Sequence, residues 1–163
     1  MNPIPNNQSP CPVQRENNSR HSGSSQDLPD DIIQTLRSLI PALLDEFATV
    51  DILYVFGSMA AGTSDECSDV DIAVYLDPAR VAEDCMLDLS LGLWLQERLG
   101  RDIDVVVMNG ASPVLCHEVL RTGVRLFEKC AVQRAMVELR VFKAYMDVRH
   151  YQQKREGIVA HGQ

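Results

Sequence analysis

The chain is 163 residues long and carries a formal net charge of −8. That length suits one domain with a single core and is short for two. A chain that grips a nucleic-acid backbone shows a basic stripe, and none is visible here, so no direct nucleic-acid partner is expected.

The five cysteines, Cys11, Cys67, Cys85, Cys116 and Cys130, are odd in number and form no C-x-x-C pair. Neither a disulfide framework nor a zinc site is indicated. With no signal peptide in evidence, this composition points to a reducing, cytoplasmic setting. No apolar run approaches the ~20 residues that span a bilayer, so no membrane partner is expected.

Residues 1–26 hold five Asn, four Pro and five Ser with few aliphatics. Such a segment buries too little apolar surface to offset its ordering entropy and reads as a disordered tail. The domain is expected over residues 27–130, followed by a C-terminal helix and frayed tail over 131–163. Asp27 can cap the first helix, with Pro29 in its first turn. Leu28, Ile32, Ile33, Leu36, Leu39, Ile40, Leu43, Leu44 and Phe47 recur at helical spacing. Pro41 interrupts that stripe, and a kink or break is expected near Ile40.

Val50–Phe56 is a short β-branched and aromatic run that stops at Gly57-Ser58, which reads as a buried strand feeding a turn. Asp71–Tyr75 is a second strand. Val81–Leu99 is expected as one helix, with Val81, Cys85, Leu87, Leu91, Leu95 and Leu99 inward and Gly100 as its stop. Asp102–Met108 is a third strand, Pro113–Arg121 a short helix and Gly123–Phe127 a fourth strand. From Val132 to about Glu156 the chain turns helical again, with a stripe of Met136, Leu139, Phe142 and Met146 expected to cover the sheet; an interface with a partner is the alternative for this helix. Strands alternating with helices over this length give an α/β or α+β layered domain.

The chemistry gathers between Gly57 and Val74. Glycine lets backbone approach a ligand closely, and N–H groups freed at a helix start can hold phosphate oxygens, with the Ser58 hydroxyl as a further donor. Taken alone, a Gly-Ser turn after a strand is ordinary. Asp69 and Asp71 are two apart on a strand, so both carboxylates project from one face. Two adjacent like charges are unfavourable unless a cation lies between them, and Mg²⁺ favours carboxylate oxygens.

A third carboxylate comes from Asp102-Ile103-Asp104. Asp104 is preferred because it sits deeper in its strand, where an unpaired charge is costly; Asp102 stands as the alternative. Two metal ions shared by such carboxylates can align a nucleophile and stabilise an in-line leaving group. His117 beside Glu118 reads as a surface or packing histidine, Trp94 as core, and Cys85 and Cys116 as small packed hydrophobes.

Gly-Ser, ten intervening residues, then Asp-x-Asp leading an apolar strand resembles the polymerase-β-type nucleotidyltransferases. Among their branches the chain is most similar to minimal nucleotidyltransferases, specifically MntA-type antitoxins encoded beside HEPN-domain toxins (HepT). GSMAAG, SDVDIAV, DIDVVVM and VLRTGVRLFE carry the likeness. The resemblance implies a mixed sheet flanked by helices. It implies that Asp69, Asp71 and Asp104 hold two Mg²⁺ ions, and that Gly57 and Ser58 contact the triphosphate of ATP. It also implies an acceptor tyrosine on a HEPN ribonuclease toxin, silenced by AMP within a hetero-oligomer. Other outcomes for such a chain are neutralisation by binding alone, a small-molecule acceptor such as an aminoglycoside, or an RNA 3′ end. One departure stands out: relatives often carry arginine between Gly-Ser and the next glycine, where this chain has Met59 and Ala61. Arg80 and Arg101 are the candidate substitutes.

Overall fold

In the computed structural model of the chain, the described residues are 27–63, 68–83 and 86–160, with side chains apart from those of 27–30, 83 and 155–160. The segment read as a disordered tail, the Asp27 cap and Cys85 lie outside what is described. The elements follow in the order α1 (Asp27–Glu46), β1 (Val50–Phe56), the single turn α2 (Gly57–Ala60) and β2 (Val70–Leu76). A 3₁₀ turn (Val81–Glu83), α3 (Leu87–Leu99), β3 (Ile103–Val107), α4 (Pro113–Thr122), β4 (Val124–Glu128) and α5 (Ala131–Ala160) follow among the described residues.

The strands form one mixed sheet in the order β3-β2-β1-β4. β1 pairs antiparallel with β2 and β4, and β2 pairs parallel with β3. Period-2 alternation divides the apolar residues between two faces. Val50, Leu53, Val55, Val70, Ile72 and Val74 meet Leu36 and Leu43 of α1 and Leu87, Leu91 and Leu95 of α3. Ile52, Tyr54, Phe56, Ala73 and Tyr75 meet Cys116 and Val119 of α4 and Val137 of α5 on the other side. β1 and β2 are therefore buried on both faces, which explains their nearly unbroken apolar runs. A fully buried leucine such as Leu91 or Leu95 contributes about 1.5–3 kcal/mol.

Several expectations are corrected. α1 continues through Pro41 without a break. Pro41 lies on the exposed side of the helix, so the carbonyl that loses its partner can be hydrated, while Leu36 and Leu43 anchor both halves to the sheet. The expected helix over Val81–Leu99 is instead a 3₁₀ turn followed by α3 from Leu87. Gly100 does close α3, in the left-handed conformation with φ 64°. α5 runs past Gly157 to Ala160, beyond the expected fraying point.

The largest correction concerns the outer stripe of α5. Met136, Leu139, Phe142 and Met146 do not cover the sheet but are 48–59% exposed. The inward face is set by Val137 and Val141 together with polar anchors: Arg134 pairs with Glu128 and Glu138, and Arg140 donates to the Tyr75 hydroxyl at 3.2 Å. Asp51, 2% exposed at an irregularity in the β1–β2 register, is a further anchor. It accepts from Gln133 at 2.5 Å and forms an ion pair with Lys129 at 3.2 Å that lacks the alignment of a hydrogen bond.

Candidate active site

The site lies at the edge where β1 ends and β2 and β3 begin. Phe56, the last residue of β1, stands opposite Asp71 in the antiparallel register. Asp71 stands beside Asp104 in the parallel register of β2 and β3. Asp71 shares its face with Ala73 and Tyr75, because Val70, Ile72 and Val74 fill the opposite one. Asp104 alternates in the same way with Ile103 and Val105. Two carboxylates from strands far apart in sequence thus become neighbours on one surface, with Asp69 two residues upstream on the approach to β2.

Electrostatics record the crowding. Burial raises the Asp71 carboxyl above its ordinary range, and the nearby negative charges of Asp104 and Asp69 push it in the same direction. Gly57 closes the other side. A Cβ at this position would lie 2.0 Å from Asp71 Oδ2, and the residue adopts φ +68°. Both the close approach and the left-handed backbone require glycine. The first turn of α2 follows immediately, with Ser58 half-buried and Met59 buried beneath it. The Ser58 carbonyl accepts the Thr63 N–H at 3.1 Å, which folds the loop back on the turn. The leading N–H groups of such a turn have no partners within it and are available to anions.

Asp104 is the carboxylate beside Asp71, but not for the reason read from sequence. It is exposed, because β3 is an edge strand. Register selects it. Asp102 instead accepts a hydrogen bond from Gln96 of α3 at 3.2 Å, and its carbonyl accepts the Val70 N–H at 2.9 Å. Of the two candidate arginines, Arg101 lies at the site end, donating to the Ser68 carbonyl at 3.4 Å just before Asp69. Arg80 follows β2 at its opposite end, about 20 Å along the strand.

The remaining candidates pack. His117 stacks on Tyr145 of α5, with ring centroids 3.8 Å apart and 6° between planes. Trp94 sits at the edge of the core, edge-on to Phe47 and covered by the Arg98 guanidinium at 3.7 Å. Cys116 is buried, as expected of a small hydrophobe. Gly123 is close-packed: a Cβ there would lie 2.5 Å from the Val119 carbonyl and 3.1 Å from that of Val55. Asn109 had no assigned role, yet its amide brackets Leu76, accepting the N–H at 2.8 Å and donating to the carbonyl at 3.0 Å. It completes the far end of the β2–β3 ladder as a strand backbone would.

Residues 39–131 match the family model described as polymerase beta, nucleotidyltransferase. The chain belongs to that family. Among these nucleotidyltransferases it is 31% identical to the protein adenylyltransferase MntA of Shewanella oneidensis over 121 residues, which are 74% of this chain and 82% of that protein. A proposed protein adenylyltransferase of Methanocaldococcus jannaschii is 35% identical over 89 residues, 54% of this chain and 89% of the relative. A crystal structure of a toxin–antitoxin with AMP-PNP superposes with a TM-score of 0.54 at 28% identity, covering 81% of this chain and 95% of that one. The fold and the MntA-type membership expected from the motif both hold.

The donor set of this nucleotidyltransferase suits a hard divalent cation. Asp69, Asp71 and Asp104 offer only carboxylate oxygens, and the penalty on ionised Asp71 is of the kind a cation offsets. Among the described residues, no group of three Asp, Glu, His or Cys side chains is already placed to hold a metal ion. Nor is any helix long and apolar enough to cross a membrane.

Proposed function

We propose that the chain is a Mg²⁺-dependent adenylyltransferase antitoxin that moves AMP from ATP onto a tyrosine hydroxyl of a HEPN-domain ribonuclease toxin. The observation that carries the reading is the register that sets Asp71 beside Asp104, with Gly57 against the Asp71 carboxylate. Two kinds of relative support it: one named a protein adenylyltransferase, and a toxin–antitoxin structure holding an ATP analogue. The setting is cytoplasmic, and the working form is a hetero-oligomer with the toxin.

Two Mg²⁺ ions held by Asp69, Asp71 and Asp104 would neutralise the triphosphate and lower the pKa of the incoming hydroxyl. Gly57 and Ser58 bind triphosphate oxygens through backbone N–H groups and the Ser58 hydroxyl, in a turn that brings no side-chain bulk against Asp71. Arg101, beside Ser68, adds positive charge at the same edge. Asp104 is solvent-accessible and takes the proton of the attacking tyrosine. The tyrosine oxygen bonds to the α-phosphorus as the bond from that phosphorus to the bridging oxygen breaks, and pyrophosphate leaves.

Incubating the chain with ATP, Mg²⁺ and the HEPN toxin tests the proposal. Tyrosine-linked AMP on the toxin is expected from the native chain and from neither Asp69→Asn nor Asp71→Asn. A stable complex that inhibits the toxin without any AMP transfer would replace this reading with neutralisation by contact.

A further inference from the structure

β3 is the edge of the sheet, so its outer N–H and C=O groups pair with no strand among the described residues. Natural edge strands are normally blunted with charge, proline or a covering element, because they template the addition of another strand. This one is flanked by an apolar lip. Leu89 and Leu93, four apart on α3, are 53% and 57% exposed, and Met86 just before the helix is 57% exposed. Between that lip and β3 runs a groove of about 260 Å³, floored by Gly92 and Val105 and bordered by Asp88 and Asp104. A Cβ at Gly92 would rest on Val105 Cγ2 at 3.6 Å, an ordinary contact distance, so the glycine leaves that much of the floor free.

We propose that this groove receives an extended segment of the acceptor protein, apolar residues flanked by basic ones, added along Ile103–Val107 so that its tyrosine reaches Asp104. The inference rests on the adenylyltransferase reading and adds where the acceptor docks. Strand geometry supplies the reason. Successive side chains of an added strand point to opposite faces, and the strand lies about 4.8 Å from its neighbour. Alternate apolar residues would enter the groove against Leu89, Leu93 and Val105, on the α3 face. The residues between them would project onto the face that carries Asp71 and Asp104, where a tyrosine hydroxyl is needed. Charge selects the flanks: Asp88 and Asp104 border the groove, Asp102 and Asp69 lie at the same end, and the chain carries −8 overall. A second copy of this acidic chain is disfavoured by the same charges.

The test uses Leu89→Lys/Leu93→Lys, which changes two exposed side chains and none of the carboxylates, with the HEPN toxin as acceptor. Transfer to the toxin should lose roughly ten-fold or more in kcat/KM through KM, while binding of Mg²⁺-ATP stays at the native level. In the native chain, toxin binding should slow hydrogen exchange of the β3 amides. Leu93→Lys alone carries the same comparison should the double variant fold poorly, and the exchange measurement needs no variant. Native KM in a folded variant, or β3 amides that exchange equally with toxin bound, overturns the groove. Absence of transfer by the native chain removes the adenylyltransferase reading and the groove with it.

Discussion

Replacing Asp71 with Asn should make the protein more stable and inactive at once. Asp71 and Asp104 are direct neighbours in the β2–β3 register, and Asp69 adds to the repulsion. Two unit charges about 5 Å apart repel by about 1 kcal/mol in bulk water and about 3 kcal/mol at an effective dielectric near 20. Asp104 is exposed, so screening favours the lower figure, about 1 kcal/mol. In a domain of this size that gain raises Tm by about 2–5 °C. Asn keeps the shape of the side chain against Gly57, so no new clash offsets it. Because the Asp71 pKa is raised on folding, the native state holds this proton more tightly than the unfolded chain does. That preference favours folding fully below the ordinary carboxylate range and is lost as pH rises through the native pKa. The advantage of Asn should therefore appear at neutral pH and fade in acid. Thermal unfolding of both proteins in a chelating buffer, at neutral and acid pH, measures it. Added Mg²⁺ with ATP should then stabilise the native chain and not the variant. A variant that melts lower than the native chain at neutral pH would refute the reasoning.

Other outcomes follow from the same geometry. Gly57→Ala should cost about 1–3 kcal/mol in chemical denaturation and abolish transfer, and adding Asp71→Ala should restore part of the stability, because the clash is with the Asp71 carboxylate. Asp104→Asn should eliminate AMP transfer, whereas Asp102→Asn should retain it and lose no more than about 1 kcal/mol with its weakened Gln96 bond; the reverse result would exchange their roles. In the metal-free protein the Asp71 carboxyl should titrate above its ordinary value, and added Mg²⁺ should lower it, as followed by NMR; a metal-free value at or below the ordinary one contradicts this. Met136→Lys and Leu139→Lys on the exposed stripe of α5 should each change stability by about 0.5 kcal/mol or less in urea unfolding, against several for a helix face that covered the sheet.

The strands and the turn after β1 were legible because they depend on local signals. A β-branched run ending in Gly-Ser implies a turn, and an aspartate leading an apolar strand implies the face it takes, without any tertiary knowledge; Asp69 itself stands just before β2 rather than on it. Asp104 shows the boundary of that reasoning. Its neighbour across the ladder is decided by the β2–β3 register, which pairs residues 33 positions apart, and burial, the property used to choose it, is absent at an edge strand. The α5 stripe misled for a related reason. Helical periodicity finds a stripe, but the sheet is met by Val137, Val141 and long polar arms from Arg134, Arg140 and Gln133, leaving the larger apolar residues outside. α1 passes Pro41 without breaking because a proline on the solvent side costs a hydrogen bond that water can replace. Asn109 had no signal in the chain. Only the end of β3 beside Leu76 gives its amide a purpose.

The most direct test is intact-mass spectrometry of the HEPN toxin after incubation with this chain, ATP and Mg²⁺, run beside the Asp71→Asn chain and a chelated control. The toxin should gain the mass of AMP with the native chain and Mg²⁺ only, and fragmentation should place it on a tyrosine. Equal addition by Asp71→Asn, or addition in the presence of chelator, would contradict a site built on these carboxylates.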